Sequence, residues 1–172
     1  MQNFDPKKAV EAVLFIANRL RQKDLYKALK VLYFADIFHL ENFGRFICGD
    51  SYIAMRSGPV PSQTYDILKC VRGDGQYNHY QPAEEAFDVS EGHGITPHRD
   101  ADQALLSKSD IMAMEDAVKN YGSMSGSELK EASHDQAYNS AGRDDEIPLE
   151  SIANMVDPSG ALASHITDPY PG

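Results

Sequence analysis

The chain has 172 residues, and its content of 42% apolar and 24% charged residues is typical of one globular domain with a buried core. The formal net charge of −10 disfavours nucleic acid as the main partner, because phosphate backbones are bound through Lys and Arg. Residues 1–75 carry 11 Lys/Arg and 8 Asp/Glu, whereas residues 76–172 carry 5 and 18, a pattern that serves solubility or attracts a basic partner.

Two helices are predicted at the start of the chain. Asp5 caps the first, whose apolar stripe begins at Val10 and which is expected to end near residues 21–23. Asp24 caps the second, and Gly44 ends it. The second helix is apolar almost all round, a pattern that predicts a central position in the domain.

Short strands and a third helix are predicted next. Residues 45–61 favour two strands or extended pieces around a turn at Gly49 and Asp50, and the prolines after Gly58 indicate a rigid turn. Ser62 is the predicted cap of the third helix, which ends before the glycines of residues 73–75.

The second half of the chain predicts a weak hairpin and more helices. The hairpin is expected within residues 87–97. Ser109 is the predicted cap of a long helix, Ser125 or Ser127 begins a short one, and Pro148 begins the last.

These elements together predict a mainly α (α+β) fold: a compact helical domain with a small β-hairpin or sheet element. Residues 1–156 are expected to form the single domain and residues 157–172 a flexible or loosely docked tail. Cys48 and Cys70 lack a C-x-x-C spacing and indicate free thiols. With no basic leader and no apolar run that spans a bilayer, the sequence predicts a cytoplasmic protein without a membrane partner.

Catalytic, cofactor and metal sites are not predicted. His93 and His98 are the only closely spaced histidines, and no cysteine pair supports a metal site there. Phosphate-binding glycine motifs do not occur. The chain is therefore expected not to be an enzyme, and a small hydrolase using Ser51 or one of the cysteines is kept as an alternative.

Basic residues near the end of the first helix suggest a second alternative, a DNA-binding helix-turn-helix. These residues are Arg19, Arg21, Lys23, Lys27 and Lys30. Cations at a helix C-terminus also interact favourably with the helix dipole, so this cluster has a structural explanation as well.

Residues 52–66 combine tyrosine, methionine and proline side chains beside a turn fixed by two prolines. Such a surface loses little conformational entropy when it docks a partner. The predicted partner-binding residues are Tyr52, Met55, Arg56, Pro59, Pro61 and Tyr65. The alternative is that the tyrosines and the methionine cover the core. Asp36 and His39 are expected to support the loop from beneath.

Several blocks of the sequence resemble the Panacea antitoxin domain, a Soc-type, phage-associated family. Residues 29–39 resemble its K-x-L-Y-x-A-D-x-x-H helix, residues 43–55 its Y-G-R-P-I-x-G-D-x-Y-x-A-M block and residues 58–62 its G-P-V-P-S block. Residues 106–111 and 129–134 resemble its later L-S-x-S-D and L-x-x-x-x-H blocks.

The resemblance covers about residues 8–155 and departs from the family pattern at Phe43, Phe46 and residues 137–138. It implies an antitoxin that neutralises a cognate toxin, encoded by a neighbouring gene, by direct protein–protein binding and without a cofactor. The alternatives are an adaptor that delivers the toxin to a cytosolic protease and a DNA-binding autoregulator of its own operon. The residues expected to support the motif structurally are Asp36, His39, Gly44, Gly49, Asp50, Gly58, Asp66 and His134.

Overall fold

The structure, a computed structural model, describes residues 3–75 and 79–168. Within them the chain is mainly helical with two small antiparallel sheets, as predicted. In these two ranges no helix has the length and hydropathy needed to cross a bilayer. The helices are α1 (Pro6–Arg19), α2 (Leu25–Phe43), α3 (Ser62–Arg72), α4 (Gln81–Ala86), α5 (Lys108–Tyr121), α6 (Gly126–Ser133), α7 (Gln136–Asn139), α8 (Leu149–Val156) and α9 (Ala161–Thr167). The strands are β1 (Tyr52–Met55), β2 (Gly58–Pro61), β3 (Phe87–Val89), β4 (Ile95–Pro97) and β5 (Glu146–Ile147).

Helix α2 lies at the centre of the domain, which confirms the prediction from its all-round apolar pattern. It contacts α1, α5, α6, α8 and β2. The Asp24 carboxylate caps its first turn by accepting the Lys27 amide at 3.1 Å. Gly44 ends it in the left-handed conformation, at a φ of 77°.

The core forms where α1 and α5 pack against α2. Val10, Val13 and Leu14 of α1 are buried, so the predicted apolar stripe is confirmed. From α5, Ala113 and Met114 are fully buried. Each fully buried side chain of valine or leucine size contributes about 1.5–3 kcal/mol of transfer free energy.

A three-stranded antiparallel sheet with the order β2-β1-β5 lies beside α2. The hairpin β1–β2 pairs Tyr52 with Pro61 and Met55 with Gly58, so its turn falls at residues 56–57. The prediction of a turn at residues 49–50 between the two strands is therefore wrong. The second predicted hairpin is confirmed as β3–β4.

Two predicted helix caps are displaced in the structure. Ser62 is the first residue of α3, and the cap is supplied from a distant loop by the Asp50 carboxylate, which accepts the amides of Gln63 and Thr64 at 3.0 and 2.8 Å. Ser107, rather than Ser109, caps α5 in a reciprocal capping box. For α6, Ser125 is the cap, as one of the two alternatives predicts.

Short elements were absent from the sequence prediction, namely α4, α7, α9 and β5. Helices of four to seven residues are unstable alone and exist through tertiary contacts. Within the predicted tail, the Asp157 carboxylate accepts the Leu162 amide at 2.9 Å, and Ala163 of α9 is buried. The remainder of that tail, residues 169–172, lies outside the described part, and the limits of the domain stay a prediction.

Replacing Asp50 should destabilise the domain because its buried carboxylate accepts four hydrogen bonds, from the Ser51, Gln63 and Thr64 amides and the Thr64 hydroxyl. We expect Asp50→Ala to lower the free energy of unfolding in urea by about 2–4 kcal/mol. The matched control is Asp66→Ala, which removes a partly exposed ion pair with Lys69 and should cost no more than about 0.5 kcal/mol. Equal effects of the two substitutions would contradict the role given to Asp50.

Candidate functional site

The loop of residues 44–51, here called the motif loop, connects α2 to β1 and folds back on α2. The buried Asp36 carboxylate fixes it, since one oxygen accepts the Ile47 amide at 2.7 Å and the other accepts the Tyr52 hydroxyl at 2.6 Å. Burial raises the pKa of Asp36 to about 7, and the two hydrogen bonds oppose that rise. Asp36 therefore determines where the motif loop ends and β1 begins.

His39, three residues after Asp36, joins the motif loop to α5 and is fully buried. Its Nδ1–H donates to the Arg45 carbonyl at 2.8 Å, and its Nε2 lies 2.9 Å from the Ser109 hydroxyl. Both ring nitrogens of His39 are thus within hydrogen-bond distance of groups of the protein itself.

Asp110, in the first turn of α5, is the third residue that holds the motif loop. We call Asp36, His39, Asp110 and their partners the framework. Its carboxylate lies 2.7 Å from the Lys8 ammonium, 3.1 Å from the Arg45 guanidinium and 3.3 Å from His39 Nε2. Burial alone would raise the pKa of Asp110, but the hydrogen bonds from His39, Lys8 and Ser107 hold it well below its ordinary value. The cluster ties α1, the motif loop and α5 together.

Two glycines are required by close approach as well as by backbone conformation. Gly49 has a φ of 69°, and a Cβ there would collide with the Asn3 carbonyl. Gly58 has a φ of 123°, and a Cβ there would lie 2.6 Å from the Ser133 hydroxyl oxygen and 3.1 Å from Lys30 Nζ. A side chain at position 58 would push the hairpin away from α2 and α6, so this close approach requires glycine there.

Two of the residues expected to support the motif, Asp66 and His134, make no hydrogen bond or ion pair with Asp36, His39 or Asp110 within the described residues. Asp66 lies at the surface, in its ion pair with Lys69. His134 stacks on Tyr138 with ring centroids 4.2 Å apart, and its buried Nε2 has no hydrogen-bond partner within the described residues. Burial and the charges of Lys130 and Lys30 lower the pKa of His134.

Three of the six predicted partner-binding residues face inward. Tyr52 is 1% exposed and packs edge-on against Tyr33 and Phe46, at centroid distances of 5.0 and 5.5 Å. Pro59 and Pro61 are buried within β2. These side chains offer no surface to a partner in this conformation, so for Tyr52 the structure agrees with the alternative that it covers the core.

The turn of the β1–β2 hairpin is the part of the predicted surface that reaches solvent. Arg56 is exposed and Met55 is partly exposed. The Tyr138 hydroxyl fixes the turn by donating to the Met55 carbonyl at 2.7 Å, and the Asp144 amide donates to the Ala54 carbonyl at 2.7 Å. The hairpin surface is defined here as Met55, Arg56, Ser57, Asp144, Asp145 and Glu146.

The acidic part of the hairpin surface escaped sequence reasoning. Residues 144–146 are exposed and lie beside β1 because β5 pairs with it. The strong negative charge of the second half of the chain is the signal that pointed to such a region, but it carried no information on position. Tyr65, by contrast, faces Tyr26, with their hydroxyl oxygens 3.3 Å apart, and does not belong to this surface.

The sequence of this region matches the profile of a known protein family. Residues 29–138 match the profile of the family described as "Antitoxin SocA-like, Panacea domain". The chain belongs to this family. The matched range includes Asp36, His39, the motif loop and Tyr138, whereas Lys8 and residues 144–146 lie outside it. Comparisons with curated proteins and with solved structures returned no match.

Nucleophilic chemistry finds little support around the cysteines of this Panacea domain. Cys48 is buried, and burial followed by the charge of Asp36 raises the pKa of its thiol well above the ordinary value, so the thiolate is disfavoured. Across residues 3–75 and 79–168, no group of three His, Cys, Asp or Glu side chains is placed to hold a metal ion. His93 instead contacts Arg72, and His98 contacts Asp88.

The raised pKa of Asp36 predicts a pH dependence of stability. The folded state binds the Asp36 proton more tightly than the unfolded state, where an aspartate has a pKa of about 3.9. The contribution of this group to the free energy of unfolding should therefore fall as pH rises from about 4 to about 7, and then level off. Asp36→Asn, which keeps the shape and can still accept the Ile47 amide, removes this contribution.

Urea unfolding of the wild type and of Asp36→Asn at a series of pH values from about 4 to about 8 measures the effect. The stability of the variant relative to the wild type should increase with pH over the window given above. A difference that does not change with pH would show that Asp36 titrates alike in the folded and unfolded states.

Proposed function

We propose that this Panacea-domain protein neutralises a cognate toxin by direct contact through the hairpin surface. Family membership carries the antitoxin role, because the matched range includes the three central residues of the framework and the β1–β2 hairpin. The toxin is proposed to be the product of a neighbouring gene. A protein partner also agrees with the saturation of Asp36 and His39 by structural hydrogen bonds.

The hairpin surface is suited to docking because its shape is fixed before a partner arrives. Its turn is bonded to Tyr138 on one side and to the segment before β5 on the other. Behind it, Pro59 and Pro61 restrict the backbone of β2. Arg56 therefore extends from a stiff turn, and a preorganised surface of this kind loses less entropy on association.

Charge supports a basic partner. The exposed carboxylates of residues 144–146 lie beside β1, and residues 76–172 carry 18 acidic against 5 basic side chains. Acidic surfaces accelerate encounter with basic proteins, and this effect is weakened by salt. We therefore propose that the toxin presents a basic face to these carboxylates.

Arg56→Ala tests the contact site. The guanidinium is exposed and removed from the core, so the variant should fold normally and yet bind the purified toxin about tenfold or more weakly. Co-expression with the neighbouring gene should then rescue growth less well. The matched control is Lys108→Ala, an exposed cation at the first residue of α5, near the opposite end of α2 from the hairpin turn. Arg56→Ala and Lys108→Ala variants that both bind as tightly as the wild type would exclude Arg56 from the contact.

Neutralising the carboxylates of residues 144–146 tests whether the toxin presents a basic face. Changing Asp144 and Asp145 to Asn and Glu146 to Gln should slow association with the toxin and flatten its dependence on salt between about 0.05 and 0.5 M NaCl. Stopped-flow association kinetics measure both quantities. An unchanged salt dependence would contradict an acidic contact surface.

The alternatives from the sequence are separated from this proposal by two assays. Lys23 donates to the Ala17 and Leu20 carbonyls at 2.7 and 3.0 Å, and Arg19 lies over the Phe15 ring, so these cations serve the end of α1 and do not favour DNA binding. Sequence-specific retardation of the upstream DNA by the protein alone would support the autoregulator. Rescue that disappears in cells lacking cytosolic ATP-dependent proteases would support the adaptor.

A further inference from the structure

A cavity of about 390 Å³ opens between the first turn of α2, the turn of the β1–β2 hairpin and the first turn of α6. Three lysines line it: Lys27 and Lys30 from α2, and Lys130 from α6. We call it the lysine cavity. Its size is within the range of small-molecule sites, which begins at about 300 Å³. Three cations around one cavity are unexpected in a chain with a net charge of −10.

Lys30 is the most unusual residue of the lysine cavity. The residue is 4% exposed, yet within the described part of the chain its ammonium makes no hydrogen bond and no ion pair. Buried lysines nearly always have a partner, because removing an ammonium from water is costly. Because Lys30 lines an open cavity, its ammonium is available to a ligand that supplies negative charge.

The surroundings of Lys30 offer no internal substitute for that ligand. Burial, followed by the charge of Lys130, lowers the pKa of Lys30 to about 8, and the charge of Asp24, which also lines the cavity, only partly opposes this. The Asp24 carboxylate is already engaged as the cap of α2, where it accepts the Lys27 amide. Gly58 keeps space for the ammonium, since a Cβ there would crowd Lys30 Nζ.

Two further lysines line the cavity, together with one carboxylate, that of Asp24. Lys27 is buried and Lys130 exposed, and within the described residues neither side chain forms an ion pair with a carboxylate. Gly126 and Ser127, the first two residues of α6, line the cavity as well. The amides of a first helical turn carry partial positive charge and bind anions.

We propose that the lysine cavity binds a small molecule through a phosphate group, which lies between the Lys30 and Lys130 ammonium groups and the amides at the start of α6. Three lysines and a helix N-terminus match a group that carries two or more negative charges, as a phosphate does and a single carboxylate does not. This site shares Ser57 with the hairpin surface, but its lysines lie outside that surface, and it is tested on the chain alone.

The test is calorimetric titration of the purified full-length protein with inorganic pyrophosphate at constant ionic strength. We expect saturable binding of one pyrophosphate per chain. Lys30→Met and Lys130→Met should each weaken it about tenfold or more, the effect of removing one charge-assisted contact. The control Lys108→Met should bind as the wild type does.

Lys30→Met should remain folded, because it removes a buried charge without an ion pair and keeps a side chain of similar length. A loss of binding is then not a consequence of unfolding. The unfolding temperature of Lys30→Met without ligand should equal or exceed that of the wild type. Pyrophosphate should then raise the unfolding temperature of the wild type by more than it raises that of Lys30→Met at the same concentration. A pyrophosphate-induced rise of equal size in both proteins would overturn the assignment of the site.

Further arms of the titration identify the group that is recognised. Orthophosphate and ADP should compete with pyrophosphate, and tighter binding of ADP would extend the site from the phosphates to a nucleoside. Citrate, a carboxylate trianion, should bind at least about tenfold more weakly. Equal binding of citrate, or no saturable binding of any phosphate compound, would overturn the proposal.

Discussion

The Asp36 carboxylate, enclosed in the domain, accepts the Ile47 amide and the Tyr52 hydroxyl, and the position of much of the later chain depends on these two hydrogen bonds. An enclosed carboxylate is destabilising unless donors surround it, so the chain must bring both groups to the same point on α2. Once Tyr52 is fixed, β1 is fixed, and β2 and β5 pair with β1 on its two sides. The position of the hairpin surface therefore depends on hydrogen bonds to a buried carboxylate.

The order of the three strands separates charges of opposite sign. On the β2 side, the hairpin turn approaches α2 and α6 and contributes Ser57 to the wall of the lysine cavity. On the β5 side, residues 144–146 present exposed carboxylates. An acidic protein can therefore carry a positive cavity beside an acidic surface, because low-dielectric protein lies between them and solvent screens the exposed charges. The two proposed sites therefore lie on opposite sides of one small sheet and differ in charge.

Local signals predicted the helices well where a side chain and its target lie within one turn. Asp5 and Asp24 cap α1 and α2 as expected, and Gly44 ends α2. The failures occurred where the partner is distant in sequence. The cap of α3 comes from Asp50, twelve residues before the helix starts, and β5 forms only because β1 is available to pair with it. No short window of sequence contains either interaction.

The sequence by itself determined the helical character of the chain, the boundaries of its central helix and, through ordered motif blocks, the family to which it belongs. Tertiary structure alone decided which motif residues face solvent: Tyr52 turned inward to Asp36, whereas Arg56 stayed exposed. It also decided that Lys30 is buried with no ion pair to any carboxylate of the described residues. The physical reason is that caps and periodic apolar stripes act over three or four residues. Burial and charge pairing instead depend on which distant segments share the same space.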